Sequence, residues 1–82
     1  MSEFQIRLFA AARQTLQKDC VVLQLEAPHT LQRLQSQLAL DYPPIAALVQ
    51  KSRLAVNATY VASEQLVTPT DEIALIPPVS GG

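Results

Sequence analysis

Glycine is absent from the body of this chain, and its only two copies are the last two residues, Gly81 and Gly82. A compact fold ordinarily uses glycine wherever a turn needs a positive φ. Here every reversal must be built from other residue types, which favours Pro, Asn and Asp at the corners. The glycine pair instead ends the chain, where no turn exists. A terminal Gly-Gly offers a carboxylate on a slim stem that can pass where a side chain would clash. A frayed end would need no such pair, so the sequence points to the carboxylate of Gly82 as the working group.

The apolar pattern ahead of that terminus switches between two periods. Residues 3–9 alternate as a strand, with Phe4, Ile6 and Leu8 on one face and Gln5, Arg7 and Phe9 on the other. Residues 10–18 favour helix by propensity over a turn or two. A second alternation at 20–26 puts Val21, Leu23 and Leu25 inward, with Cys20, Val22, Gln24 and Glu26 outward. Pro28 interrupts, and the hydroxyl of Thr30 is suited to cap a helix. Leu31, Leu34 and Leu38 then recur at helical spacing until Tyr42-Pro43-Pro44 stops the run. Ile45, Leu48 and Val49 predict a further short helical piece. Residues 54–57 and 60–62 read as short strands around a tight connection, where Asn57 is best suited to a left-handed conformation. Thr68-Pro69-Thr70-Asp71 is a turn. Residues 72–76 form the last strand, with Ile73 and Leu75 on one face and Ala74 and Ile76 on the other. One main helix can cover only one face of the sheet, so the order predicts an α+β roll.

Charge and special residues narrow the function. Hydrophobic residues make up 49% of the chain against 16% charged, which argues against disorder. Six basic and seven acidic side chains give a net charge of −1 without a basic run, so neutralisation of nucleic-acid phosphates is not expected. A lone cysteine, Cys20, and a start without signal-peptide character predict a cytoplasmic protein; no apolar run approaches membrane-spanning length. His29 stands alone beside Pro28, which predicts a surface loop rather than a metal site. Cys20 has no CxxC partner or nearby His, and adjacent Asp71 and Glu72 suit a turn better than an acid/base pair. No metal is expected, and the folded body reads as chemically inert.

The tail carries the chemistry. Residues 1–76 are expected to form the domain and residues 77–82 an extended tail. Pro77 and Pro78 fix φ and remove two backbone donors, ending the sheet with a stiff exit. Val79, Ser80, Gly81 and Gly82 follow without bulk at the end, and the six residues reach roughly 20 Å when extended. That suffices to carry the carboxylate into another protein's active-site channel. Phe9 and Ile76 each stand opposite the core residues of their strands. Ile76 directly precedes the tail, so a partner gripping the sheet there would also receive the terminus.

With this order of elements, the chain resembles the ubiquitin-like β-grasp sulfur carriers, in the branch formed by small subunits of molybdopterin synthase. The resemblance runs nearly end to end. Its anchors are Leu8-Phe9-Ala10 with Arg13, Ala55-Val56-Asn57, and Asp71-Glu72-Ile73-Ala74 leading into Pro77-Pro78-Val79-Ser80-Gly81-Gly82. It implies a β-grasp roll, a mixed sheet of four to five strands packed on one main helix plus short helical turns. It also implies a cycle at Gly82. An ATP-dependent, E1-like activating enzyme adenylates the carboxylate, a sulfur donor displaces AMP to leave a thiocarboxylate, and the large synthase subunit accepts the tail. Sulfur then passes to cyclic pyranopterin monophosphate, two atoms per pterin. The chain would be a sulfur-donor subunit without a permanently bound cofactor, with catalytic side chains on the large subunit. The implied active assembly is a heterotetramer of two carriers on a large-subunit dimer. Phe9, Arg13 and Ile76 match partner-contacting positions; Arg13 rests on the resemblance alone. Relatives often carry aromatics where this chain has Leu75 and Ile76, which implies partner packing of its own.

Three other readings share parts of this pattern. A carrier could serve thiamine thiazole, another sulfur metabolite or a tungsten-cofactor pathway with the same chemistry. A protein modifier would join Gly82 to a target lysine. A binding module would keep an inert tail.

Overall fold

The computed structural model describes residues 2–26 and 29–77. The expectations for Met1, Pro28 and the tail residues Pro78, Val79, Ser80, Gly81 and Gly82 lie outside the described residues.

The first alternation forms strand β1 (Ser2–Leu8), with Phe4, Ile6 and Leu8 buried and Glu3, Gln5 and Arg7 exposed. The strand ends one residue earlier than the pattern suggests. Phe9 keeps an extended backbone (φ −136°, ψ 159°) but stands as the N-cap of helix α1 (Ala10–Leu16), and its carbonyl accepts from the Arg13 N–H at 3.4 Å. β2 (Cys20–Leu25) returns antiparallel beside β1, in register from Ser2↔Leu25 to Arg7↔Cys20.

A two-residue strand, β3 (His29–Thr30), precedes helix α2 (Leu31–Asp41). Thr30 caps the helix as expected, its hydroxyl accepting from the Arg33 N–H at 3.2 Å. Leu31, Leu34 and Leu38 form the buried stripe. Tyr42 precedes Pro43 and so leaves helical geometry (φ −129°, ψ 71°), which ends α2. A 3₁₀ turn at Pro43–Ile45 leads into α3 (Ala46–Lys51), and together they bury Ile45 and Val49 against the core. The Gln35 side-chain amide donates to the carbonyls of Val49 (2.7 Å) and Ser52 (3.1 Å), tying α2 to the end of α3, where the Ser52 N–H also donates to Val49 (3.1 Å).

The hairpin that follows shows how the body turns without glycine. β4 (Arg53–Val56) and β5 (Thr59–Tyr60) pair through Val56↔Thr59 and Ala55↔Tyr60, leaving Asn57 and Ala58 as a two-residue loop. Both loop residues have positive φ, 52° and 67°, the condition for a type I′ turn that matches strand twist. Asn57 was the expected left-handed residue; Ala58 joins it, and β5 therefore starts at Thr59 rather than residue 60. Alanine gains nothing locally from this conformation, unlike Asn. Ala58→Gly should stabilise the protein by about 0.5–1 kcal/mol, measured as a rise in the urea midpoint at unchanged slope; a fall would contradict a left-handed Ala58.

β6 (Leu66–Val67) pairs antiparallel with β3 through His29↔Val67 and Thr30↔Leu66. This small ladder corrects two expectations. His29 sits in a strand, half-buried and edge-on to Phe4 (6.4 Å between rings), not in a surface loop. Residues 61–62 are loop rather than strand. That loop supports the start of α2, because the carbonyls of Gln65 and Ser63 accept from the N–H groups of Leu31 (2.9 Å) and Gln32 (3.0 Å). These are donors that a helix start leaves without intrahelical partners.

The last strand, β7 (Ile73–Ile76), enters the sheet centre parallel to β1 and antiparallel to β4. The sheet order is β2-β1-β7-β4-β5, with α2 and α3 covering one face. Phe4, Ile6, Leu8, Leu23, Leu34, Leu38, Ile73 and Leu75 form the centre of that core. Each such side chain contributes about 1.5–3 kcal/mol by leaving water. This is the mixed-sheet β-grasp roll that the sequence implied.

Candidate functional site: the open face of the sheet and the root of the tail

Alternation that buries one face of the sheet fixes what the other displays. Leu54 and Val56 point into the core, so Arg53 and Ala55 point outward; Ile73 and Leu75 do the same for Ala74 and Ile76. Register then lays these residues in rows. Arg7 lies beside Ala74, Ala74 beside Ala55, and Ala55 beside Tyr60. In the next row Ile76 lies beside Arg53.

The alanines leave a depression of about 300 Å³, lined by Phe9, Ala55, Ala58, Tyr60, Ala74 and Ile76, with Glu72 at its edge. Phe9 and Tyr60 rise from its walls at 39% and 50% exposure, so two aromatic rings are displayed around one apolar depression. Arginines brace both walls. The Arg7 guanidinium lies 5.9 Å from the centre of the Phe9 ring and pairs with Glu72 at 3.2 Å. The Arg53 guanidinium lies 4.1 Å from the centre of the Tyr60 ring. Ile76 closes the floor, and its pairing with Arg53 is the last of the β4–β7 ladder. Pro77, half-buried, follows directly and has no N–H to continue the ladder. The sheet therefore ends, at Ile76 and Pro77, beside the depression.

The structure brings Phe9 and Ile76 together here, although they are far apart in sequence. Arg13 is not brought to the same place. Its side chain is exposed on α1, pairs with Asp19 at 2.8 Å and does not line the depression. Tyr60 and Arg53 were missed as site residues. The alternation of Arg53-Leu54-Ala55-Val56 already turned Arg53 outward, but Tyr60 needed the hairpin register that Asn57 and Ala58 set.

Asp71 and Glu72 have the turn role expected of them. The Asp71 carboxylate accepts from the Thr68 N–H (2.8 Å) and the Asn57 side-chain Nδ2 (3.1 Å), while the Asn57 side-chain Oδ1 accepts from the Glu72 N–H (2.9 Å). The Thr68 N–H and then the Asn57 amide hold the Asp71 carboxyl below its ordinary value of 3.8. Because the folded state favours the charged form, its contribution to stability is complete above the unfolded value and disappears as pH falls through the folded one. Asp71→Asn should therefore flatten the stability profile on the acid side of about pH 4–5, as read by urea unfolding across that range; an unchanged acid slope would contradict the role. Among the described residues, no group of three His, Cys, Asp or Glu side chains could hold a metal ion, and no helix is long and apolar enough to cross a membrane. Cys20 is an exposed free thiol.

Comparison with known proteins agrees with this geometry. The chain is 37% identical over 84 residues to the molybdopterin synthase sulfur carrier subunit of Dictyostelium discoideum, covering 99% of this chain and 98% of the relative. It is 32% identical over 80 residues to the protein of the same name in Arabidopsis thaliana, covering 98% and 83%. In fold it is similar to SAMP1 of Haloferax volcanii, with a TM-score of 0.81 at 21% identity over 99% of this chain and 100% of that one. It is also similar to a chain in the complex of subunits 1 and 2 of the molybdopterin-converting factor of Helicobacter pylori, with a TM-score of 0.68 at 17% identity over 98% and 99%. The ThiS family matches residues 6–82, all but the first five residues. With its β-grasp sheet, its open apolar face and a match spanning the chain, this protein belongs to the ThiS family.

Proposed function

We propose that this protein is a sulfur carrier for molybdopterin synthesis, with the carboxylate of Gly82 as its cargo site. The observation that carries the reading is the end-to-end 37% identity with a molybdopterin synthase sulfur carrier subunit. The ending Pro77-Pro78-Val79-Ser80-Gly81-Gly82 supports it chemically, because it presents a terminal carboxylate without side-chain bulk.

A carboxylate is a poor acyl donor, so it must first be activated. In the proposed cycle the Gly82 carboxylate attacks the α-phosphorus of ATP on an activating enzyme, and pyrophosphate leaves. A sulfur nucleophile then attacks the acyl carbon of the glycyl adenylate, the bond to AMP breaks, and a thiocarboxylate remains. ATP is consumed by the activating enzyme and no cofactor stays with the carrier. Residues 77–82 act as the delivery arm. The large synthase subunit binds the open sheet face, receives the arm and supplies the catalytic side chains and pterin pocket. Holding the arm at the root of the depression raises the effective concentration of the sulfur at the acceptor. Two carriers on a large-subunit dimer, working in the cytoplasm, complete the assembly.

Tethering also gives the folded body its part. Its shape and apolar face do the recognition. The modifier reading has only fold-level likeness behind it, since SAMP1 is 21% identical. Reconstitution tests the proposal. The untagged protein, ATP, an activating enzyme and a sulfur donor, followed by the large subunit and cyclic pyranopterin monophosphate, should yield molybdopterin. A loaded carrier that leaves the pterin unconverted would redirect the sulfur to another metabolite.

A further inference from the structure

Resting on the carrier reading, we infer that Arg53 is a specificity determinant that recognises a carboxylate on the protein receiving the tail. Two of the other arginines have carboxylate partners within the molecule. Arg7 pairs with Glu72 at 3.2 Å and Arg13 with Asp19 at 2.8 Å. Among the described residues Arg53 has no carboxylate within ion-pair range. Its guanidinium is nonetheless held in place, 4.1 Å from the centre of the Tyr60 ring.

Position gives this cation its use. Arg53 pairs across the sheet with Ile76, the residue before Pro77, so the charge stands where the tail departs. It borders the depression that Tyr60 and Ile76 line. An apolar depression bordered by a ring-stacked cation that no described carboxylate pairs matches a partner that inserts an apolar side chain and presents an acidic group beside it. Stacking leaves the guanidinium edge available while limiting its freedom, so less rotamer entropy is lost when a carboxylate binds. Closure of the interface removes water from this pair and strengthens it, and charge complementarity at such a position selects among partners. Arg7 differs in already having the Glu72 carboxylate beside it at 3.2 Å.

Arg53→Met tests this, since it keeps length and apolar contact while removing charge. Titration calorimetry would compare the full-length unaltered and R53M proteins against the large synthase subunit of the same organism, at about 0.05 M and 0.5 M salt. R53M should bind about tenfold or more weakly at low salt, with the gap narrowing at high salt and the melting temperature unchanged. Equal affinities at low salt would overturn the inference and leave the carrier reading intact. So would an equal loss at both salts with a lowered melting temperature, which would make Arg53 structural. Tighter binding by R53M would also overturn it, pointing to the chain's own terminal carboxylate as the group held. If the unaltered protein does not bind the large subunit, this inference falls together with the assignment of that subunit as the recipient, whereas the thiocarboxylate at Gly82 is tested separately by mass.

Discussion

Deletion of Gly81 and Gly82 is expected to abolish sulfur transfer while leaving thermal unfolding almost unchanged. The two effects separate because they depend on different parts of the chain. Among the described residues, the buried core runs from Phe4 to Leu75, and nothing in it is removed by the deletion. The proposed chemistry, by contrast, needs a carboxylate that reaches into another protein on a stem without side chains. Shortening the arm by two residues withdraws its end by about 7 Å, at roughly 3.3 Å per residue. Reactive groups must approach to about 3–3.5 Å, so no residual activity from a partly fitting arm is expected. Addition of one residue after Gly82 should be as damaging, because it converts the carboxylate to be activated into an amide. Transfer assays on both variants, with melting curves alongside, check the prediction. A deletion variant that still delivers sulfur would contradict the cargo assignment; one that unfolds would show that the tail belongs to the fold.

The second large effect concerns the open face. Phe9→Ala and Ile76→Ala are each expected to weaken binding to the large subunit by about 10–100-fold, equivalent to about 1.4–2.8 kcal/mol. Phe9 is 39% exposed and Ile76 half-buried, so both give up less on truncation of the free protein than a core residue does. Leu75→Ala provides the contrast. Leu75 is fully buried on the opposite face, and its truncation should cost about 2–5 kcal/mol of stability. Because Phe9 and Ile76 line the same depression, the double substitution should lose less than the sum of the single ones. Unchanged affinity in both single variants, measured by titration calorimetry, would place the partner on another surface.

The pattern of side chains made much of this legible beforehand. Alternation in Phe4-Gln5-Ile6-Arg7-Leu8 and in Ile73-Ala74-Leu75-Ile76 correctly separated core from open face. The stripe Leu31, Leu34, Leu38 and the Thr30 cap located α2. Asn57 was identifiable as left-handed because a short polar side chain tolerates that conformation; here the side chain bonds across to Asp71 and Glu72, far along the sequence. Ala58 was not, since nothing in alanine signals positive φ; its conformation follows from the closure of β4 on β5. The β3–β6 ladder was invisible for a related reason. Two-residue strands carry no periodicity, and their pairing depends on a loop whose carbonyls serve the start of α2. Phe9 and Ile76 were assigned outward separately, but their meeting needed the parallel pairing of β1 with β7. Tyr60, and with it the stacking of Arg53 on its ring, needed the hairpin register as well.

Whether Gly82 carries sulfur is decided by the intact mass of the untagged protein from its native host. A sulfur carrier should give a species heavier by the exchange of one oxygen for sulfur, with fragmentation locating the change at Gly82. A terminus that remains a plain carboxylate, even after incubation with ATP, the activating enzyme and a sulfur donor, would contradict the assignment.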